Sequence, residues 1–167
     1  MAAIVQINEY NTSGETKTAG IANTNMGSID AASLDPVEYP VTPGNNTFEK
    51  WQKIEVTDMG GSSRIDNLKI WRTGALGGAA AHDTNAREST YGGSEVFAEP
   101  VDADSTVATQ AMPTTEPAGA NLGIGGSLTG TLDAVGESDY LVHQIQTDAA
   151  DTAGSTSTLN YQYDEIA

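Results

Sequence analysis

The run NNTFEKWQKIEVTDMGGSSRIDNLKIWR, residues 45–72, decides the fold class. Apolar residues recur at every second position in both arms, Phe48, Ile54 and Val56 in the first and Leu68 and Ile70 in the second, with Trp51, Ile65 and Trp71 on the opposite parity. A period of two belongs to strands, whose side chains alternate between faces. Between the arms stands Asp58-Met59-Gly60-Gly61-Ser62-Ser63. Glycine supplies the positive φ of a tight reversal, and Asp and Ser bond nearby backbone, so the run reads as a β-hairpin. It gathers both tryptophans and five of the seven basic residues, Lys50, Lys53, Arg64, Lys69 and Arg72.

Outward from this run, residues 4–10 (IVQINEY) have strand composition and precede a polar loop. Pro36 and Pro40 bracket a short extended piece, 37–39, confined to an edge or connecting arm, and 43–46 form the turn into the hairpin. Residues 73–93 hold no sustained period and read as a long loop. A strand resumes at 94–97, and Pro100, Pro113 and Pro117 then punctuate a segment of extended arms and turns. Residues 122–132 carry four glycines and at most one strand. Residues 140–147 and 157–166 form a second hairpin around a turn at 148–156. Short strands, frequent turn signals, no helical period and no internal repeat predict an all-β chain, a two-sheet β-sandwich or jelly roll. A single domain, 1–167, is expected, with long Gly/Ala/Thr-rich loops or arms at 11–47, 73–93 and 99–126.

Gly, Ala, Ser and Thr fill 72 of 167 positions and hydrophobic residues only 38%, so the core is expected to be thin and stability to gain from neighbours in an assembly. The formal charge is −16, and no Lys or Arg follows Arg87. Such a surface repels phosphate backbones and anionic lipid, which argues against nucleic-acid and membrane partners. With no cysteine there is neither a disulfide framework nor a thiolate metal site. No export signal or apolar span is apparent, and a soluble protein made in a cytoplasm is expected.

The motifs that could carry chemistry fail on context. Asp102-Ala103-Asp104-Ser105-Thr106 matches the DxDxT of aspartyl-phosphate enzymes, but it follows Glu99-Pro100 instead of a buried strand, and no downstream Lys exists. As a calcium loop it has Val107 and Pro113 where Gly and Glu belong. His82 and His143 stand 61 residues apart with no ligand spacing and read as ordinary surface or half-buried residues. Gly60-Gly61-Ser62 and Gly92-Gly93-Ser94 lack the second glycine of a nucleophile elbow, and Leu122-Gly123-Ile124-Gly125-Gly126 lacks the third glycine of a dinucleotide fingerprint. No enzymatic activity and no cofactor or metal are expected. Glu49, Glu55, Asp58 and Asp66 interleave with the bases of 45–72, which reads as cross-strand ion pairing. Trp51 and Trp71 would pack a second layer or a subunit contact, and the candidate protein interface comprises Trp51, Trp71, Lys53, Lys69 and Arg72.

The strand, Gly-containing turn and I-x-N-L-K-I-W return of 45–71, with the aromatic alternating tail of 138–166, resemble the small β-sandwich virion proteins of tailed bacteriophages. The resemblance covers about a third of the chain. It implies a capsid decoration (cement) protein on the outer surface of a phage head, bound to the major capsid protein or other virion proteins and homo-oligomeric on the particle. A neck or tail component is the alternative in the same setting. From a different class comes a carbohydrate-binding module, with Trp51, Trp71, Tyr161 and Tyr163 as a sugar-stacking platform.

Overall fold

The computed structural model describes residues 1–91, 95–152 and 154–167. They form nine strands and no helix: β1 (Ile4–Asn11), β2 (Thr16–Thr18), β3 (Lys50–Asp58), β4 (Arg64–Thr73), β5 (Ala81–Thr84), β6 (Gln110–Ala111), β7 (Gly136–Glu137), β8 (Leu141–Gln146) and β9 (Thr158–Ile166). Two antiparallel sheets pack as a β-sandwich. The larger runs β2-β1-β3-β8-β5-β6 with β7 also on β3, and the smaller is β4-β9.

The run 45–72 supplies two strands, but they are not a hairpin. β3 lies between β1 and β8, whereas the strand that β4 pairs with is β9. The turn at 58–63 therefore carries the chain from one sheet to the other. Gly60, at φ 59°, is required there because a Cβ would lie 2.3 Å from the Met1 carbonyl oxygen. The expected closing hairpin fails the same way, since β8 joins the large sheet and β9 the small one. Alternation reports that a face is buried and says nothing of which strand lies alongside.

Sheet crossing leaves β3 covered on both faces. Ile54 points between the sheets with Leu68, Ile70, Met112, Leu122 and Leu141, and Tyr161 and Tyr163 of β9 pack against this cluster. Trp51 points the other way, into a second cluster with Tyr10, Ala108, Tyr140 and Val142, closed by Phe97 and Val107. Its indole N–H donates to Glu49 at 2.9 Å.

On β4 a bulge between Asp66 and Lys69, with Asn67 at φ 54°, resets the alternation. Ile65, Leu68 and Ile70 are consequently all buried, although strict alternation would oppose Ile65 to the other two.

The segments expected as loose arms are built into the fold. Within 73–93, β5 contributes buried His82 and Thr84, and Asn85 and Ala86 follow them inward. Within 99–126, Ala108, Met112, Asn121 and Leu122 are buried, and the Asn121 side chain bonds Ile70 N–H and C=O at 2.8 Å each. The piece 37–39 is a turn closed by Glu38 and Tyr39 N–H on the Asp35 carbonyl. Gly92, Gly93 and Ser94, and with them the start of the strand expected at 94–97, lie outside the described residues, as does Ala153 in the turn at 148–156.

Candidate functional site

The sequence-based interface residues do not share one exposed surface. Trp51 has 0% exposure and offers nothing to a partner. It also breaks up the proposed sugar platform, because Tyr161 turns its hydroxyl inward to Gln52 at 2.8 Å. Lys53 reaches Glu137 at 3.3 Å and lies 4.3 Å from the centre of the Tyr140 ring. Lys69 is buried apart from its tip, which meets Glu116 at 3.1 Å. Trp71 and Arg72 are half-buried, and Arg72 donates to the Gly74 carbonyl. No ion pair joins β3 to β4 among the described residues: Arg64 pairs with Asp66 on its own strand, while Lys53 reaches Glu137 of β7 and Lys50 reaches Glu9 of β1.

Asp102 and Asp104 are exposed, and Asp104 accepts a 2.8 Å bond from Asn46. Nothing converges on them. Among the described residues no group of three or more His, Asp or Glu side chains could hold a metal ion.

What the strands do bring together is a row of polar side chains between the sheets. Register places Glu9 opposite Gln52, and Lys50 opposite His143, and sets His82 diagonal to His143 across β5 and β8. Glu9 is 0% exposed and receives Lys50 Nζ at 2.7 Å, Asn11 at 3.1 Å and Gln52 Nε2 at 3.2 Å. Lys50 spends a second proton on the Ala31 carbonyl at 2.6 Å. Such a pair is tolerable out of water only because each partner's remaining sites are bonded.

The row fixes proton positions along its length. A carboxylate only accepts, so Gln52 turns its amide N–H to Glu9 and its Oε1 toward Tyr161 O–H and His143 Nε2, the latter at 3.2 Å. His143 Nε2 must then carry the hydrogen, which leaves Nδ1 to accept from His82 Nε2 at 2.9 Å. The chain ends at His82 Nδ1, a buried nitrogen with no partner among the described residues. Burial holds both imidazoles neutral. His82 is pushed down to about 4 by burial and then by the Arg72 charge, and His143 lies well below the usual histidine range through burial, with His82 and Lys50 adding to it.

His82 and His143 border a cleft of about 720 Å³, walled by parts of 24–43, the 76–80 loop, and residues of 151–152 and 154–159. A second hollow of about 460 Å³, between 86–90 and 110–121, is shallower and lined mainly by polar groups.

The smaller sheet has a different feature. β4 is held on its far side by 112–122 and Leu132, through Arg72 N–H to Pro113, Asn121 N–H to Leu68 and the reciprocal Ile65–Leu132 pair. β9 pairs with β4 alone, so along nine residues its outer edge has no strand beside it among the described residues.

Comparison with known proteins adds no identity: no family model, curated protein or solved structure matches the chain.

Proposed function

We propose that this protein is a non-catalytic assembly subunit that works by gripping neighbours, and that its setting is the outer surface of a phage head, where it decorates and braces the capsid. The single observation behind this reading is the open edge of β9. A long edge strand with unpaired backbone groups is a template for another strand, and proteins that stay monomeric shorten, cover or charge such edges. β9 is nine residues long, and Thr158, Asn160 and Gln162 alternate along most of it, with its charged residues, Asp164 and Glu165, confined to the C-terminal end. Strand addition uses main-chain hydrogen bonds for affinity and side-chain pockets for choice of partner. The resemblance of 45–71 and 138–166 to small virion sandwiches supplies the setting, and the acidic exterior keeps such a subunit soluble until it docks.

The test uses phage heads stripped of decoration and the purified chain. Rebinding should be saturable at a copy number in the hundreds per particle and should raise the temperature at which heads rupture. Thr158→Lys with Gln162→Lys, which charges the edge without touching the core, should abolish rebinding and leave the free protein's Tm within about 2 °C. A copy number near a dozen would move the protein to the neck or tail, and unimpaired rebinding of the doubly charged variant would remove β9 from the interface.

A further inference from the structure

One end of the polar row holds more than an ion pair needs. Continuing the β1–β3 register one step past Tyr10 and Trp51 sets Asn11 opposite Lys50, with Glu9 two residues away on the same face of β1. All three side chains are out of water: Glu9 is 0% exposed, Lys50 1% and Asn11 6%. A single carboxylate oxygen, Glu9 Oε1, meets both Lys50 Nζ at 2.7 Å and Asn11 Nδ2 at 3.1 Å. The other Glu9 oxygen accepts from Gln52 at 3.2 Å, and the Ala31 carbonyl holds Nζ at 2.6 Å. Lys50 and Glu9 would neutralise each other without Asn11, so the ion pair does not account for the primary carboxamide on their shared oxygen.

The three groups have the chemistry of amide transfer. A lysine amine is a nucleophile once a neighbouring base takes its proton. Passing one proton from Lys50 Nζ to Glu9 Oε1 leaves two neutral groups, the form that a dry site favours. Asn11 must present its nitrogen, not its oxygen, to Glu9, because a carboxylate only accepts. Asp30 receives the same amide nitrogen at 2.6 Å and is itself held by Thr12 N–H at 2.6 Å. The nitrogen that would leave therefore faces the group that would protonate it. Reactants held in place in this way react as one molecule, and positioning supplies much of what a slow exchange between free amine and amide lacks.

We propose that Lys50 and Asn11 join in an intramolecular isopeptide bond, formed once in each chain by the folded protein itself. Lys50 Nζ attacks Asn11 Cγ, so that the Nζ–Cγ bond forms and the Cγ–Nδ2 bond breaks. Glu9 carries protons from Nζ to Nδ2, which leaves as ammonia, and the step balances with no further reactant. The product ties β1 to β3 and closes residues 12–49 into a covalent loop, a cross-link that stabilises by constraining the unfolded chain. It is independent of the β9 edge. The ion pair is the state before the bond, so stabilities measured on unreacted chain report the pair alone.

The test is the intact mass of the purified full chain, incubated at neutral pH and then denatured. It should lie below the mass of the sequence by one ammonia. Trypsin should fail to cut after Lys50 and should release residues 1–17 joined to 18–53. Asn11→Ala should keep its full mass and be cut after Lys50. Glu9→Gln, shown by near-ultraviolet circular dichroism to be folded, should also keep its full mass, because the proton carrier is gone. The wild-type mass and peptide map decide the bond whether or not either variant folds. A folded wild type at full mass, loss of water in place of ammonia, a joined peptide from Asn11→Ala, or undiminished bond formation in folded Glu9→Gln would each overturn the proposal.

Discussion

One face of β3 holds two interiors. Toward its C-terminal end Ile54 meets Leu68, Ile70 and Leu141 in an apolar layer. Toward its start, on the same face, Lys50 and Gln52 meet Glu9, His143 and Tyr161. Both halves are equally dry, with Lys50 at 1% exposure and Ile54 at 2%. They are nevertheless held by different physics. The apolar half is non-directional and rewards volume, so a missing methylene costs only its transfer and cavity terms. The polar half is directional and rewards completeness, since each group there is stable only while its partner is present.

The sharpest way to break that contrast is to remove one member of the ion pair. Lys50→Met keeps the volume and strands the Glu9 carboxylate, with a loss of about 3–5 kcal/mol expected by urea denaturation. Ile54→Val, a comparable truncation in the apolar half, should lose about 1 kcal/mol. Pairing Lys50→Met with Glu9→Met should recover most of the loss, because it removes the charge that had been stranded. If the single and double variants prove equally unstable, the cost is one of packing and the two halves are energetically alike.

Acid probes the other end of the row. His82 and His143 are neutral in the fold while unfolded histidine titrates near the usual value of about 6.5. The folded chain therefore binds fewer protons below that pH, and stability falls as pH drops. The contribution is complete above about pH 6.5 and is lost progressively down to about pH 4 for His82, beneath which its slope vanishes. His82 alone should account for about 2 kcal/mol between pH 7 and pH 5, with His143 acting in the same direction. Glu137 takes over at lower pH. Burial alone would raise its pKa, but hydrogen bonds from Lys17 and Tyr10 and the Lys53 charge bring it down to about 2, so its contribution is kept above about 4.5 and lost toward 2. Denaturation curves at pH 7, 6 and 5 on the wild type and on His82→Phe read the histidine part, and a stability unchanged from pH 7 to 5 would show that the buried imidazoles do not remain neutral.

The polar row was visible in the sequence as an exception to a pattern. Glu9 shares the parity of Val5 and Ile7, Lys50 and Gln52 that of Ile54 and Val56, and His143 that of Leu141 and Ile145. A polar residue in apolar phase on three strands signals a buried network, yet only the strand order shows that they converge. That order was hidden because period two is a property of one strand and sheet neighbours are chosen by long-range packing. The all-β class, β1, β3, β4, β8 and β9 follow from alternation, whereas β5 was missed because Ala81-His82-Asp83-Thr84 is short and lacks the β-branched run that marks a strand. His82 therefore read as a loop residue, and its meeting with His143 had no local signal at all.

The smallest effect concerns the bulge in the smaller sheet. Its register puts Asp66 directly opposite Asp164, a like-charge pair that ordinarily destabilises a ladder. Each carboxylate has its own partner: Arg64 Nε lies 2.8 Å from Asp66 and offsets its charge, and Asn67 Nδ2 donates a hydrogen bond to Asp164 at 2.8 Å. Asn67 can do this because it occupies the left-handed region at φ 54°, a conformation asparagine tolerates and β-branched residues resist. Asn67→Val loses both the backbone fit and the bond to Asp164, and a drop of about 1–2 kcal/mol is expected. Asn67→Gly keeps the backbone fit and loses only an exposed hydrogen bond, so it should stay within about 0.5 kcal/mol of the wild type. Should glycine prove as damaging as valine, the bond to Asp164 rather than the backbone holds the bulge, and the smaller sheet would then depend on a satisfied polar contact just as the buried row does.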